Sequence, residues 1–308
     1  MYPKVSIQIP TYNQKDIIVR TIESCLMQDY PNLEINIADD RSTDNTGEVI
    51  QLFLHDERVR YFCNEINVGR VANYHKALYE YATGEWAINL DGDDFFTDAS
   101  FVSRAIEQIK NANDENIFIY QANHNINKII EVLPVFKRID ENTILVDGTE
   151  YFNTFYRINV FYHCATVYKR SEALKLNFYS YNCLYSDFNS MAKLFLKGKI
   201  LLSAKQVAVW SLHQENASST LDEKKLQNEI AAIDEIADFS INYLPGKSVK
   251  KWRRKMKGNL FGAYIDFQTN AVQKRKVLRY MIFNLGFDLQ QYKNLIKAIL
   301  GSIGIKFA

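Results

Sequence analysis

Residues 85–98 read EWAINLDGDDFFTD: a hydrophobic run, Trp86 to Leu90, ends in three carboxylates, Asp91, Asp93 and Asp94. A short apolar run of this kind reads as a buried strand. A buried strand that ends in acid must give those charges partners, because desolvated carboxylates lose hydration and repel one another. A divalent cation carrying a polyphosphate is one such partner. Helix capping by Asp98 is another use of acid here, but it accounts only for the downstream carboxylate.

The pattern around this stretch alternates. KVSIQIP, LEINIADD, RVRYFCNE, EWAINLD and NIFIYQA read as strands. Between them DIIVRTIESCLMQ, TDNTGEVIQLFLHD, VANYHKALYEYA and DASFVSRAIEQIKNA carry apolar residues at helical spacing. The last is expected to start at an Asp98 cap. Strands separated by helices of this length predict an α/β fold, a mostly parallel sheet flanked by helices. From 126 to about 220 the pattern is less regular. EVLPVF, NTILVDG and FYHCATVYK read as short, antiparallel strands, SDFNSMAKLFLKG as a helix, and ILLSAKQVAVWSLH as a strand pair. From about 221 the chain reads as helical, and after LPGKS it turns basic. The expected division is 1–220, itself split at 125, and a helical appendage at 221–308.

With 308 residues, 47% of them hydrophobic, the chain can bury a large core. No apolar run reaches the length of a spanning helix, and the first residues enter a strand without a basic, apolar leader, so a cytoplasmic location is expected. Cys25, Cys63, Cys164 and Cys183 are widely spaced and read as reduced thiols, mostly buried. The net charge is only +1, yet residues 246–308 hold 14 of the 37 Lys and Arg and 2 of the 36 Asp and Glu. That asymmetry predicts two surfaces with different partners.

In parallel sheets ligands bind beyond the carboxyl ends of the strands. Three such ends are marked here: IPTYN (9–13), ADDRSTD (38–44) and LDGDD (90–94). A hard cation takes oxygen ligands, one or two from the protein, and completes its shell with water and phosphate. Asp91 and Asp93, separated by Gly92, suit that role, with Mg²⁺ or Mn²⁺ as the ion. In ADDRSTDNT, Asp44 reads as a helix cap. Asp39 does not, and its carboxylate can accept an N–H from a nucleotide base.

VSIQIPTYNQ, ADDRSTDNT, NVGRVANYHKAL and GEWAINLDGDDFF, in this order, resemble the donor-binding half of glycosyltransferase family 2, strongly over residues 4 to about 100 and more weakly to about 220. The resemblance implies the GT-A, Rossmann-like fold and an inverting transfer from a nucleotide-diphosphate sugar. It implies that Pro10 and Tyr12 line the base pocket and that Asp39 binds the base, most often uracil. Arg70 would face the donor; a surface salt bridge is the alternative. Asp91 would lie near the ribose, Asp93 would hold the metal, and Asp94 would support them. YSDFNSMAKLFLKGKI resembles the family's catalytic segment, with Asp187 as the base, although Ser186 stands where an acid is usual; helix capping is the other reading of Asp187. VWSLHQENASST resembles a later segment, in which His213 would be a third metal ligand or a diphosphate contact; a structural hydrogen bond is the alternative. His163 is a weaker candidate, facing the acceptor.

The basic tail interleaves Lys and Arg with Trp252, Met256, Leu260, Phe261 and Tyr264. This mixture suits an anionic membrane surface, and hence a lipid-linked glycan acceptor at the inner face of a bacterial membrane during surface-polysaccharide assembly. A helix packing its apolar face inward is the alternative. No nucleic-acid-binding motif is present. A catalytically silent nucleotide-sugar scaffold and a nucleotidyltransferase are the competing functions. The latter ordinarily needs a glycine-rich loop after the first strand, and PTYNQKD has no glycine.

Overall fold

A computed structural model describes residues 2–211 and 222–267, with side chains through Tyr264. The chain forms two compact units, one within Met1–Asn216 and one within Ala217–Ala308. The first begins with β1 (Val5–Thr11), α1 (Ile18–Leu26), β2 (Leu33–Asp39), α2 (Thr46–Gln51), β3 (Val59–Cys63) and α3 (Arg70–Lys76), which runs into a π-helical turn at Ala77–Tyr81. Then come β4 (Trp86–Asn89), β5 (Phe95–Phe96), α4 (Phe101–Ala112), β6 (Ile117–Gln121) and α5 (Ile126–Ile130). The unit continues with β7 (Lys137–Arg138), β8 (Thr143–Asp147), α6 (Gly148–Ile158), a 3₁₀ turn at His163–Ala165 and β9 (Thr166–Lys169). It ends with α7 (Arg170–Lys175), α8 (Ser186–Phe195), β10 (Lys199–Ser203) and β11 (Ala208–Val209).

Among the described residues, nine strands form one sheet in the order β3-β2-β1-β4-β9-β6-β10-β8-β7. All but β8 and β9 run the same way, so the sheet is mostly parallel, as the alternating pattern predicts. Every residue of β1 and β2 is buried, which is why both read as near-continuous apolar runs. Register sets the functional rim. Gln8 of β1 lies between Asn36 of β2 and Asn89 of β4, and Thr11 lies opposite Asp39. β1 and β2 therefore finish level, and the acidic turn leaves β4 beside their last residues. Pro10 is tolerated in this central strand because its ladder with β4 ends at Gln8; beyond it, the Pro10 carbonyl takes the Gly92 N–H at 3.1 Å.

Several local expectations need correction. Asp98 does not cap α4: Ser100 occupies that position, while Asp98 accepts the Ser100 N–H at 3.0 Å and pairs with Arg104. EVLPVF is not a strand, since α5 and a turn occupy that region and β7 begins only at Lys137. The two strands of ILLSAKQVAVW do not pair with each other; β10 joins the large sheet and β11 pairs with β5. The helices α6 and α7 were not expected. The α6 start has a signal, however: the Asp147 carboxylate accepts the Glu150 N–H at 3.0 Å.

In the second unit, α9 (Glu223–Ser240) and α10 (Gly246–Phe267) pack together. Lys257 pairs with Asp234 at 2.8 Å, and Arg253 pairs with Asp238. Val249, Trp252, Met256, Leu260, Phe261 and Tyr264 are buried, so the apolar side chains that read as lipid-facing lie inside. Lys247, Lys250, Lys251 and Arg254 are exposed and share one helical face. The rest of the basic tail, 268–308, lies outside the described residues. None of the described helices is long and apolar enough to cross a membrane.

Glu34 of β2 is buried beneath the sheet's amino-terminal edge. It accepts hydrogen bonds from Ser6 Oγ (2.6 Å), Thr83 N (2.7 Å) and Thr83 Oγ1 (2.8 Å), and pairs with Lys4 at 2.6 Å. Burial raises its pKa, but the bonds from Lys4, Ser6 and Thr83 outweigh burial and hold it at about 2. A depressed carboxylate stabilises the fold above its unfolded pKa, and that stability is lost as pH falls toward the folded value. Glu34→Gln is therefore expected to lower the urea midpoint near neutrality, by the equivalent of about 2–3 kcal/mol. Its deficit against wild type should shrink as pH falls from about 4.5 toward 2, which urea titrations at successive pH values would measure.

Candidate active site

The acidic turn after β4 is held by backbone. Leu90 and Gly92 donate to the Gln8 and Pro10 carbonyls at 2.9 and 3.1 Å, and Asp94 N–H closes onto Asp91 O at 2.9 Å. Thr21 of α1 donates its hydroxyl to the carbonyls of Gly92 (2.9 Å) and Asp94 (2.7 Å). Gly92 leaves no room for a Cβ, which would overlap Gln14 Oε1 and press on Thr11 and Ile18. Arg20, stacked 3.9 Å over the Phe95 ring, reaches the Asp93 carbonyl at 3.3 Å and Ser211 Oγ at 3.2 Å. Ser211 in turn donates its N–H to Asp94 Oδ1 at 2.9 Å. The pairing of β5 with β11 brings these ends together. None of Arg20, Thr21 and Ser211 was marked by local sequence, because each partner lies more than 70 residues away.

Asp91 Oδ1 accepts from the Tyr74 hydroxyl at 2.7 Å and from Asn89 Nδ2 at 3.1 Å. Tyr74 lies one turn after Arg70, whose guanidinium sits 5.3 Å from the Tyr74 ring. Arg70 is not in a surface salt bridge. It donates to the carbonyls of Leu184 (2.7 Å) and Cys183 (3.1 Å), in the loop that leads into α8. Its own position is set by Asp40. That carboxylate takes the N–H groups of Val68 and Gly69, both at 2.8 Å, and Gly69 adopts φ +88°, a conformation suited to glycine. Thus NVGR is a loop anchored on Asp40 that launches Arg70 into α3.

Asp187 stands in the first turn of α8, whose cap position is Tyr185 and makes no side-chain cap bond. Its Oδ2 lies 3.8 Å from His163 Nδ1, and His163 Nε2 lies 3.0 Å from the Tyr179 hydroxyl. His163 is close enough to Asp91 to act on it electrostatically, so His163, Asp187 and Asp91 belong to one neighbourhood. Asp39 is buried at the end of β2 and already engaged. Its Oδ1 accepts Ser42 N–H (2.9 Å) and Oγ–H (2.6 Å), and its Oδ2 accepts the Tyr61 hydroxyl at 2.7 Å. Pro10 is buried beside it, while Tyr12 is exposed on the loop after β1. His213 lies outside the described residues.

Electrostatics distinguish the acids. Burial raises the Asp91 pKa, and the Asp93 charge adds to the rise against His163 and Tyr74. Asp94 is pushed up to about 8, by burial first and then by the Asp91 charge. No group of three or more His, Cys, Asp and Glu among the described residues forms a complete metal cage. Clustered, partly desolvated carboxylate oxygens nevertheless fit a hard cation that draws only one or two ligands from protein. Such a charge would relieve the repulsion that raises Asp91 and Asp94.

The chain is similar to the UDP-Glc:alpha-D-GlcNAc-diphosphoundecaprenol beta-1,3-glucosyltransferase WfaP of Escherichia coli, with 36% identity over 132 residues, 43% of this chain and 50% of that protein. It is also similar to the GalNAc(5)-diNAcBac-PP-undecaprenol beta-1,3-glucosyltransferase of Campylobacter jejuni, with 38% identity over 94 residues, 30% of each chain. The chain spans half or less of the length of these relatives. Among solved structures, S. aureus TarS 1-349 in complex with UDP-GlcNAc superposes with a TM-score of 0.65 at 17% identity, over 97% of this chain and 81% of that one. The mannosyltransferase PcManGT from Pyrobaculum calidifontis, in complex with GDP-Man and Mn²⁺, gives 0.60 at 15%, over 98% and 81%. These likenesses establish the GT-A fold. The glycosyl transferase family 2 profile matches residues 6–174, more than half of the chain, and the chain belongs to that family.

Proposed function

We propose that the protein is a metal-dependent, inverting glycosyltransferase that moves a sugar from a UDP-sugar to a hydroxyl of a lipid-linked glycan in bacterial surface-polysaccharide assembly. One observation carries the reading. The acidic turn of β4 and the first turn of α8 are joined through Asp91, Tyr74, Arg70 and the carbonyls of Cys183 and Leu184. A leaving-group platform and a general base are thereby built into one network. The relatives named as acting on diphosphoundecaprenol-linked sugars support the acceptor class, and the UDP-GlcNAc complex of TarS supports the donor class.

In this reading Asp187 accepts the proton of the acceptor hydroxyl. The freed oxygen attacks the anomeric carbon as the bond from that carbon to the diphosphate breaks. One carboxylate acting from the acceptor side gives inversion. Asp93 and Asp91 would hold Mn²⁺ or Mg²⁺, with His213 a further candidate, and the bound ion would neutralise charge on the departing diphosphate. Pro10, Tyr12 and Asp39 are assigned to the base, with Ser42 and Tyr61 fixing the Asp39 carboxylate. Arg70 holds the base-bearing loop and adds positive charge near Asp91 and Asp187. The exposed Lys247, Lys250, Lys251 and Arg254 support a peripheral, electrostatic contact with an anionic membrane at its inner face.

Calorimetric titration of UDP and GDP, with and without Mn²⁺, tests the platform. UDP is expected to bind in a Mn²⁺-dependent way and to lose at least about tenfold in affinity in Asp93→Ala. Asp187→Asn should bind UDP as wild type does, while transfer falls by about 10²–10⁴. Tighter binding of GDP would change the donor class, and binding of neither nucleotide by folded protein would overturn the reading.

Asp94 gives a separate test. Its pKa is raised on folding, so the folded state holds the proton more tightly and stability falls as pH rises from about 4 to about 8. Asp94→Asn removes that ionisation. Its melting temperature should therefore fall less than that of wild type between about pH 5 and 8, and Mn²⁺ with UDP should narrow the difference.

A further inference from the structure

We propose that His163, held by Tyr179, positions the Asp187 carboxylate, directing its Nδ1–H at Oδ2 and leaving Oδ1 for the acceptor hydroxyl. The proposal rests on Asp187 as the general base. Topology explains why His163 is available. It belongs to the 3₁₀ turn just before β9, and β9 runs antiparallel to β4. The start of β9 therefore lies beside the end of β4, and a residue from the acceptor half reaches the acidic rim.

His163 is tied on both sides. Nε2 lies 3.0 Å from the Tyr179 hydroxyl, while Nδ1 lies 3.8 Å from Asp187 Oδ2. The first is hydrogen-bonding distance. The second is longer than a hydrogen bond and in this proposal shortens when substrate orders the site. Because a carboxylate can only accept, the arrangement that satisfies both contacts has the proton on Nδ1 and the Tyr179 hydroxyl donating to Nε2. A histidine whose Nε2 accepts carries its proton on Nδ1, the nitrogen facing Asp187.

Tyr179 itself is in an uncommon conformation. It is buried and adopts φ +59°, a left-handed backbone that is strained for a bulky residue. The helix carrying Asp187 holds it there. The Tyr179 N–H donates to Ser190 Oγ at 2.8 Å, and Ser190 Oγ donates to Ser186 O at 2.9 Å. The Tyr74 ring packs edge-on against Tyr179 at 5.3 Å and lies 6.0 Å from His163. One strained residue thus fixes the imidazole relative to the helix whose carboxylate it faces. No proton leaves His163 during transfer; the acceptor's proton ends on Asp187.

Two measurements on the full chain test this. Long-range ¹H–¹⁵N spectra of histidine-labelled protein at about pH 8, assigned by loss of one signal in His163→Leu, report the tautomer. The Nδ1–H form is expected in wild type, with a shift toward Nε2–H in Tyr179→Phe. An Nε2–H form in wild type, or no change in Tyr179→Phe, would overturn the proposal. The second measurement is UDP release from UDP-glucose, UDP-galactose and UDP-N-acetylglucosamine with Mn²⁺, water serving as acceptor. His163→Leu and Tyr179→Phe should lower kcat about tenfold to a hundredfold with donor KM within about twofold. His163→Asn, whose amide N–H stands where Nδ1–H stood, should recover much of the loss; His163→Asn no better than His163→Leu would refute the positioning role. Loss of activity in Asp187→Asn with full activity in His163→Leu would remove that role alone, whereas full activity in Asp187→Asn would remove the base.

Discussion

Desolvation of the carboxylates at the end of β4 is the constraint to which the surrounding residues answer. Three acids in four residues repel one another, and burial raises Asp91 and Asp94 further. A flexible turn would swing them into water. Here Thr21 grips two carbonyls of the turn, Arg20 a third, and Gly92 packs where no side chain fits. Tyr74 and Ser211 then donate to the carboxylates themselves. The turn keeps its place at the end of β4 because its backbone is satisfied.

The antiparallel insertion of β9 between β4 and β6 has an equally direct effect. In an all-parallel sheet, every strand would present its carboxyl end at this rim. Reversing one strand brings an amino end there instead, and with it the His163 turn. The helix α8 approaches from the same half of the chain, and Arg70 secures its entry loop. Asp91 and the loop that leads to Asp187 are then linked through Tyr74 and Arg70, although more than 90 residues separate the two carboxylates.

The parallel half of this fold was legible because β1, β2, β4 and β6 are buried and read as apolar runs, with the intervening helices showing their own period. The acids at the strand ends were legible for the same reason. What escaped was less periodic. The α6 sequence GTEYFNTFYRI is rich in aromatic and β-branched residues, weak helix formers, and its start rests on the Asp147 cap. The strands β5, β7 and β11 have two residues each and carry no pattern at all. In the site, Asp91, Asp93 and Asp187 could be singled out, but Asp40, Tyr74 and Tyr179 could not. Tyr74 looks like any helix-face aromatic until its distant partner is known, and a left-handed tyrosine leaves no mark in composition. Arg70 was found from its loop, but its carbonyl partners more than 110 residues away were not.

Those carbonyl partners carry a consequence for how such a protein can diversify. Arg70 grips main-chain oxygens, which every amino acid supplies, so the link between the two halves is blind to the identity of residues 183 and 184. Exposed side chains there, such as Tyr185, can change while the guanidinium keeps its hold on the backbone path. Loop length is another matter: an insertion there would move the carbonyls themselves. The exposed surface of the loop is thus open to substitution, whereas the spacing between the loop and α8 is the fixed dimension.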